Sequence, residues 1–209
     1  MASQTRSAGL GQSIVSGNIP WTTPTNIYTS NNVYAWAGLS RNDITYWLRA
    51  TTFGFAIPDG ATIDGIVVEI EKKATGNGVI DNSVKIVAAG SEQGDEKAAA
   101  GYWSTTESYI SYGGVDDLWG LGWNSAGINA SNFGVSIIAR HTLTDPQAAY
   151  VDHIRITVYY TEVALTNMKI NIADTFKDVE EVKINIGDSW KTVTKIQINI
   201  GDVWKTIFG

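Results

Sequence analysis

The chain has 209 residues, of which 44% are hydrophobic and 17% charged, enough for one β domain with an appendage and too apolar for global disorder. Its net charge of −6 comes entirely from the part before Asn167, where fifteen acidic residues face nine basic ones. That balance leaves no basic stripe for phosphates, so nucleic acid is not an expected partner. The lack of Cys removes disulfides, zinc–cysteine sites and thiol nucleophiles.

In chain order, residues 1–20 are rich in Ser, Gly and Ala. They read as an N-terminal arm, or an edge segment that orders on a neighbour. They carry no apolar core of a secretory signal. No run approaches the roughly 20 apolar residues of a membrane helix, so no membrane insertion is expected. A β-sandwich of jelly-roll type is predicted over 21–165. Its first strand signal is Ile44–Ala50, followed by Phe53–Ile57 and the turn Pro58-Asp59-Gly60. The clearest strand runs from Gly65 to Ala74. There Ile66, Val68 and Ile70 share one parity, while Glu69 and Glu71 share the wet one. A turn at Gly76-Asn77-Gly78 leads to Ser83–Ala89. Residues 101–127 are irregular, aromatic and Gly-rich. Two long strands close the domain, one through Phe133, Val135, Ile137 and Ala139, the other through Ile154, Ile156, Val158 and Tyr160. Period-2 alternation and frequent turns predict antiparallel sheets, and no amphipathic helix of three turns is visible.

The last 42 residues are three gapless units of 14: Met168–Glu181, Val182–Lys195 and Ile196–Gly209. Each reads as a β-hairpin. A three-residue loop at Gly187-Asp188-Ser189 would place Ile186 beside Trp190 and Ile184 beside Thr192, and by repetition Ile200 beside Trp204 and Ile172 beside Phe176. These six residues are the expected assembly anchors. Single hairpins are marginal in water, so the tail needs a partner: its own domain, two further copies in a trimeric stalk, or a lattice. Self-association as a trimer or polymer is the expectation.

Chemistry is sparse. No HExxH, GxSxG or P-loop pattern occurs. His141 is expected in a polar loop and His153 on the outward parity of the last strand, beside Arg155. Neither suits a Ser/His/Asp triad. Glu69 with Glu71 reads as an ordinary charged face. Asp116 and Asp117 lie near Trp119 and Trp123, and with Trp103 and Tyr112 they form the candidate glycan contact. No EF-hand spacing supports calcium at Asp116 or Asp117. The expectation is no enzyme, no cofactor and no metal.

Five stretches carry a resemblance: Phe53–Gly65 (FGFAIPDGATIDG), Ile66–Lys73 (IVVEIEKK), Tyr112–Trp123 (YGGVDDLWGLGW), Ile128–Ile137 (INASNFGVSI) and Val151–Tyr160 (VDHIRITVYY). Together they resemble a family of β-rich proteins encoded among phage and prophage structural genes. The KINIGDxWK repeats are similar to tails of phage structural proteins. The resemblance implies a virion component such as a tail fibre, head fibre or capsid decoration. Its partners would be other virion proteins and a host surface glycan. It would be made in the host cytoplasm and act on the particle. The alternative from the residues alone is a carbohydrate- or receptor-binding β-sandwich.

Overall fold

The computed structural model describes residues 1–162 throughout and, beyond them, the backbone of six short strands together with Val193. Ten strands build the main body: β1 (Ala2–Ser7), β2 (Leu10–Ile14), β3 (Ala35–Leu39), β4 (Trp47–Thr51), β5 (Thr62–Ala74), β6 (Val79–Ala88), β7 (Ser91–Gln93), β8 (Ser108–Gly114), β9 (Gly134–His141) and β10 (Gln147–Thr161). They form two antiparallel five-stranded sheets. The first has the order β1-β10-β5-β8, with β3 also on β10, and the second β2-β4-β9-β6-β7. A short helix, α1 (Ser125–Asn129), precedes β9. Its N-cap Asn124 accepts a hydrogen bond from the Gly127 amide at 2.8 Å.

The alternation in the sequence explains the packing. Ile66, Val68 and Ile70 of β5 and Ile154, Ile156 and Val158 of β10 are all fully buried. Facing them are Leu48, Ala50, Val84, Ile86, Val135 and Ile137 of the second sheet, also fully buried. Each such Val, Leu or Ile side chain stabilises the fold by about 1.5–3 kcal/mol relative to exposure. The strand β9 is covered on both faces, because Arg49 and Glu92 pair at 2.7 Å over it and Ser136 bonds Glu92 at 2.9 Å. That explains why Ser136 and Ile138, on its second parity, are buried too.

Residues 1–20 do not form a separate arm. β1 pairs with β10 from Ala2↔Tyr160 to Ser7↔Arg155, and β2 pairs with β4 from Leu10↔Thr51 to Ile14↔Trp47. The segment therefore supplies an edge strand to both sheets. Its polar composition suits edges, where only one side of the ladder is paired and one face is wet.

β10 carries a bulge. Val151 pairs with Lys72 and His153 with Glu71, so Asp152 is the extra residue. The inward parity changes there, from Ala149 and Val151 to Ile154 and Ile156.

In the tail, β11 (Lys169–Ile172) pairs with β12 (Thr175–Asp178), β13 (Lys183–Ile186) with β14 (Ser189–Thr192), and β15 (Ile196–Ile200) with β16 (Val203–Phe208). Each pair is a separate two-stranded sheet. The register differs by one position from the sequence expectation. Asn185 lies opposite Trp190 and Ile186 opposite Ser189, as Asn171 does to Phe176 and Asn199 to Trp204. Ile186 and Trp190 are thus not cross-strand partners, nor are Ile172 and Phe176 or Ile200 and Trp204. The commonest hairpin register leaves two residues between the last paired positions, one fewer than the expectation allowed. The side chains of these six expected anchors lie outside the described residues.

Candidate functional site

The aromatic loop does not form the expected surface. Trp119 is 0% exposed, and its indole N–H donates to the Ile66 carbonyl at 3.0 Å. Gly113, at φ +76°, lets the strand pass: a Cβ there would sit 2.6 Å from Trp119 Nε1. Trp123 packs edge-on against Phe133 with centroids 5.3 Å apart. Asp117 binds Lys97 at 2.7 Å and accepts from the Trp119 amide at 2.8 Å, while Asp116 is exposed. Lys97 holds the Asp117 carboxyl below its ordinary range, against the opposing effect of burial, which is the larger single influence. Asp117 is thus engaged in holding the loop, the Trp119 ring is sealed in the core, and Trp123 is half-buried against Phe133.

Trp103 and Tyr112 join a buried polar network instead. Lys72 falls on the inward parity of β5 and forms an ion pair with Asp81 of β6. Asp81 also accepts from Trp103 Nε1 at 2.7 Å, Tyr112 OH at 2.8 Å and the Ala99 amide at 3.0 Å. The Lys72 ammonium lies 4.4 Å from the Trp103 ring centre. Burial lowers the Lys72 pKa to about 8, with Asp81 partly opposing, and raises that of Tyr112. A depression of about 140 Å³ opens beside this network, with the exposed Tyr102 in its wall.

The outer face of the first sheet gathers more. Cross-strand partners share a face, which puts Trp36, Tyr150 and Lys73 in one row across β3, β10 and β5. Trp36 is 41% exposed. Tyr34 stands edge-on to Tyr150 at 5.3 Å and takes the Lys73 ammonium over its ring at 4.2 Å. The next row holds His153, Glu71 and Tyr109. The row after it holds Arg155, which binds Glu69 through two nitrogens at 2.7 and 2.9 Å.

His153 is on the outward parity, as expected, yet only 7% exposed. Its Nδ1 meets Tyr109 OH at 2.7 Å and its Nε2 meets Ser7 Oγ at 2.8 Å. Burial pushes its pKa down, with Glu71 opposing. The Ser7–His153 distance would suit a nucleophile and base, but the far nitrogen meets a phenol rather than a carboxylate. His141 is not in a loop: it ends β9, is fully buried, and its Nε2 lies 2.6 Å from the Asp145 carbonyl oxygen.

Glu71, Glu107 and Asp152 bring a carboxylate oxygen each to within 4.8 Å of one another on this same face. Sequence reading missed the cluster because its members come from β5, the segment before β8, and the β10 bulge. The parity change around Asp152 was the signal available.

Comparison with known proteins adds little. No protein-family model matches the chain, and no curated protein matches it. Among solved structures, a CBM4 structure matches at 9% identity with a TM-score of 0.39, covering 73% of this chain and 92% of that one. The CBM36-1 domain of a multidomain xylanase from the hindgut metagenome of Trinervitermes trinervoides matches at 10% and 0.31, covering 78% and 100%. The N-terminal cellulose-binding domain of Cellulomonas fimi β-1,4-glucanase C matches at 11% and 0.32, covering 75% and 90%. These similarities are too distant to bear on function, and the sandwich is read from the strand pairing of the chain itself.

Proposed function

We propose that the chain is a non-enzymatic recognition protein whose β-sandwich binds carbohydrate through the outer face of its first sheet. The row Trp36–Tyr150–Lys73, flanked by Tyr34, is the observation that carries this reading. A sugar ring presents C–H groups that stack on an aromatic face and hydroxyls that need donors and acceptors at its edge. Trp36 offers the ring, and Lys73 and Tyr34 offer the polar edge. In this reading the sandwich is wound as a jelly roll, since successive strands alternate between the two sheets everywhere except from β6 to β7. The contact moves from the Trp119 loop to β3 because the Trp119 ring is in the core.

The test is retention of the full chain on a panel of insoluble and soluble polysaccharides, beside Trp36→Ala. At least one polysaccharide should retard the native chain, and the variant should bind about 30-fold more weakly, as for loss of a stacking anchor worth ~2 kcal/mol. No retardation, or equal retardation of the variant, contradicts the reading.

A second reading, that of a phage virion subunit assembling through its tail, is favoured by the three tandem two-stranded sheets. A lone hairpin is marginally stable, and three in series suit a protein that gains partners on assembly. The two readings are compatible in one chain, with the sandwich recognising and the tail assembling.

A further inference from the structure

Glu71 Oε2 and Glu107 Oε1 are both buried, and neither has a hydrogen-bond partner among the described residues. A buried carboxylate oxygen without a donor costs more than a lost hydrogen bond, and carboxylates whose oxygens come within 4.8 Å of one another add repulsion. The third member is Asp152, at 1% exposure. Its Oδ2 accepts from the Asn31 and Asn32 amides, both at 2.9 Å, and its Oδ1 from the Val33 amide at 3.2 Å. A carboxylate has about four acceptor sites, so Oδ1 keeps one. Positive charge nearby is short of the need. Lys73 lies 3.7 Å from Glu107, but from Oε2, the oxygen that already accepts from Tyr34 at 3.1 Å. Arg155 is engaged by Glu69, and both ring nitrogens of His153 are taken up by Tyr109 and Ser7.

We propose that Glu71, Glu107 and Asp152 form a divalent-cation site, and that its ion is calcium. The donors are all carboxylate oxygens, which select a hard cation. His153, the adjacent imidazole, has both ring nitrogens engaged by Tyr109 and Ser7, and the chain has no Cys, so a zinc-type donor set is lacking. Three carboxylates from separate segments, with water completing the shell, match the flexible six- to eight-fold coordination of calcium better than the strict octahedron of magnesium. The ion would tie the sheet at Glu71 to the segment entering β8 at Glu107. Through Asp152 it would also fix the loop 31–33 that leads into Tyr34 and Trp36. The site stands on these atoms and does not depend on carbohydrate binding.

The test uses the full chain stripped with a chelator and titrated with calcium alone. Calorimetry should show one ion per chain, the thermal midpoint should rise, and amide exchange at Asn31, Asn32 and Val33 should slow. Glu71→Gln and Glu107→Gln should each weaken calcium binding by more than about tenfold. Without calcium, both variants should melt at or above the native chain, because each removes repulsion. Any of these results would overturn the proposal: no heat and no midpoint shift at millimolar calcium, undiminished binding in both variants, or calcium-free variants that melt below the native chain. The last would mean that the carboxylates are already satisfied without an ion. The exchange measurement on the native chain decides the matter even if a variant fails to fold, since unchanged protection at 31–33 also overturns it.

Discussion

Lys72 sits between Ile70 and Ala74 on the inward side of β5, where an aliphatic residue would be expected. Asp81 answers its charge, and Trp103, Tyr112 and Ala99 complete the acceptor's shell. Breaking a buried pair by removing one partner leaves an uncompensated charge. Asp81→Ala should therefore destabilise the chain by about 3–5 kcal/mol in urea unfolding. A loss below about 1 kcal/mol would show that the network is dispensable. His153 gives a second prediction. Its folded pKa lies below the ordinary 6.5, chiefly through burial, so the native ring stays neutral where the unfolded ring takes a proton. The stability tied to this group is fully present above pH 6.5 and is lost as pH falls from there through the folded value. Urea unfolding at pH 7.5 and 5.5 should show lower stability at 5.5, by no more than about 1.4 kcal/mol per pH unit from this group. His153→Gln should reduce that difference.

At the scale of elements, alternation made β5, β9 and the second half of β10 legible, because a period-2 pattern with one buried face leaves little freedom of register. The edges were not legible. β1 and β2 are short, with Ala2, Leu10 and Ile14 as their only apolar residues, so propensity alone gives them little signal, and pairing with β10 and β4 defines them. The aromatic loop misled for a related reason. Composition shows that Trp103, Tyr112, Trp119 and Trp123 are near one another in sequence, but not that their N–H and O–H groups find acceptors in Asp81, Ile66 and Leu118. A Trp whose N–H is satisfied inside, as in Trp119, is a core residue, and the surface ring is Trp36, on a five-residue strand too short to show a clear alternation. The carboxylate cluster was invisible in sequence because Glu71, Glu107 and Asp152 meet only once the sheet is paired and β10 is bulged.

For the whole molecule, the repeat was fully legible as a repeat and its hairpins are present, with the register moved by one. Its partner is a matter for the particle mass. Light scattering on the full chain and on residues 1–165, whose strands already close both sheets, should give a trimer or polymer for the first and a monomer for the second if the tail assembles the protein. Equal monomers would assign the tail to its own domain or to another protein.

The claim that most needs a direct test is that the outer face of the first sheet is the recognition surface. Backbone and indole amide shifts of the full chain should be followed by NMR while an oligosaccharide from the best-retained polysaccharide is added. The account predicts that the Trp36 indole and the amides of β3, the start of β10 and the end of β5 move together and saturate. Shifts confined to Tyr102 and the depression beside Asp81, or to the tail strands, would contradict it.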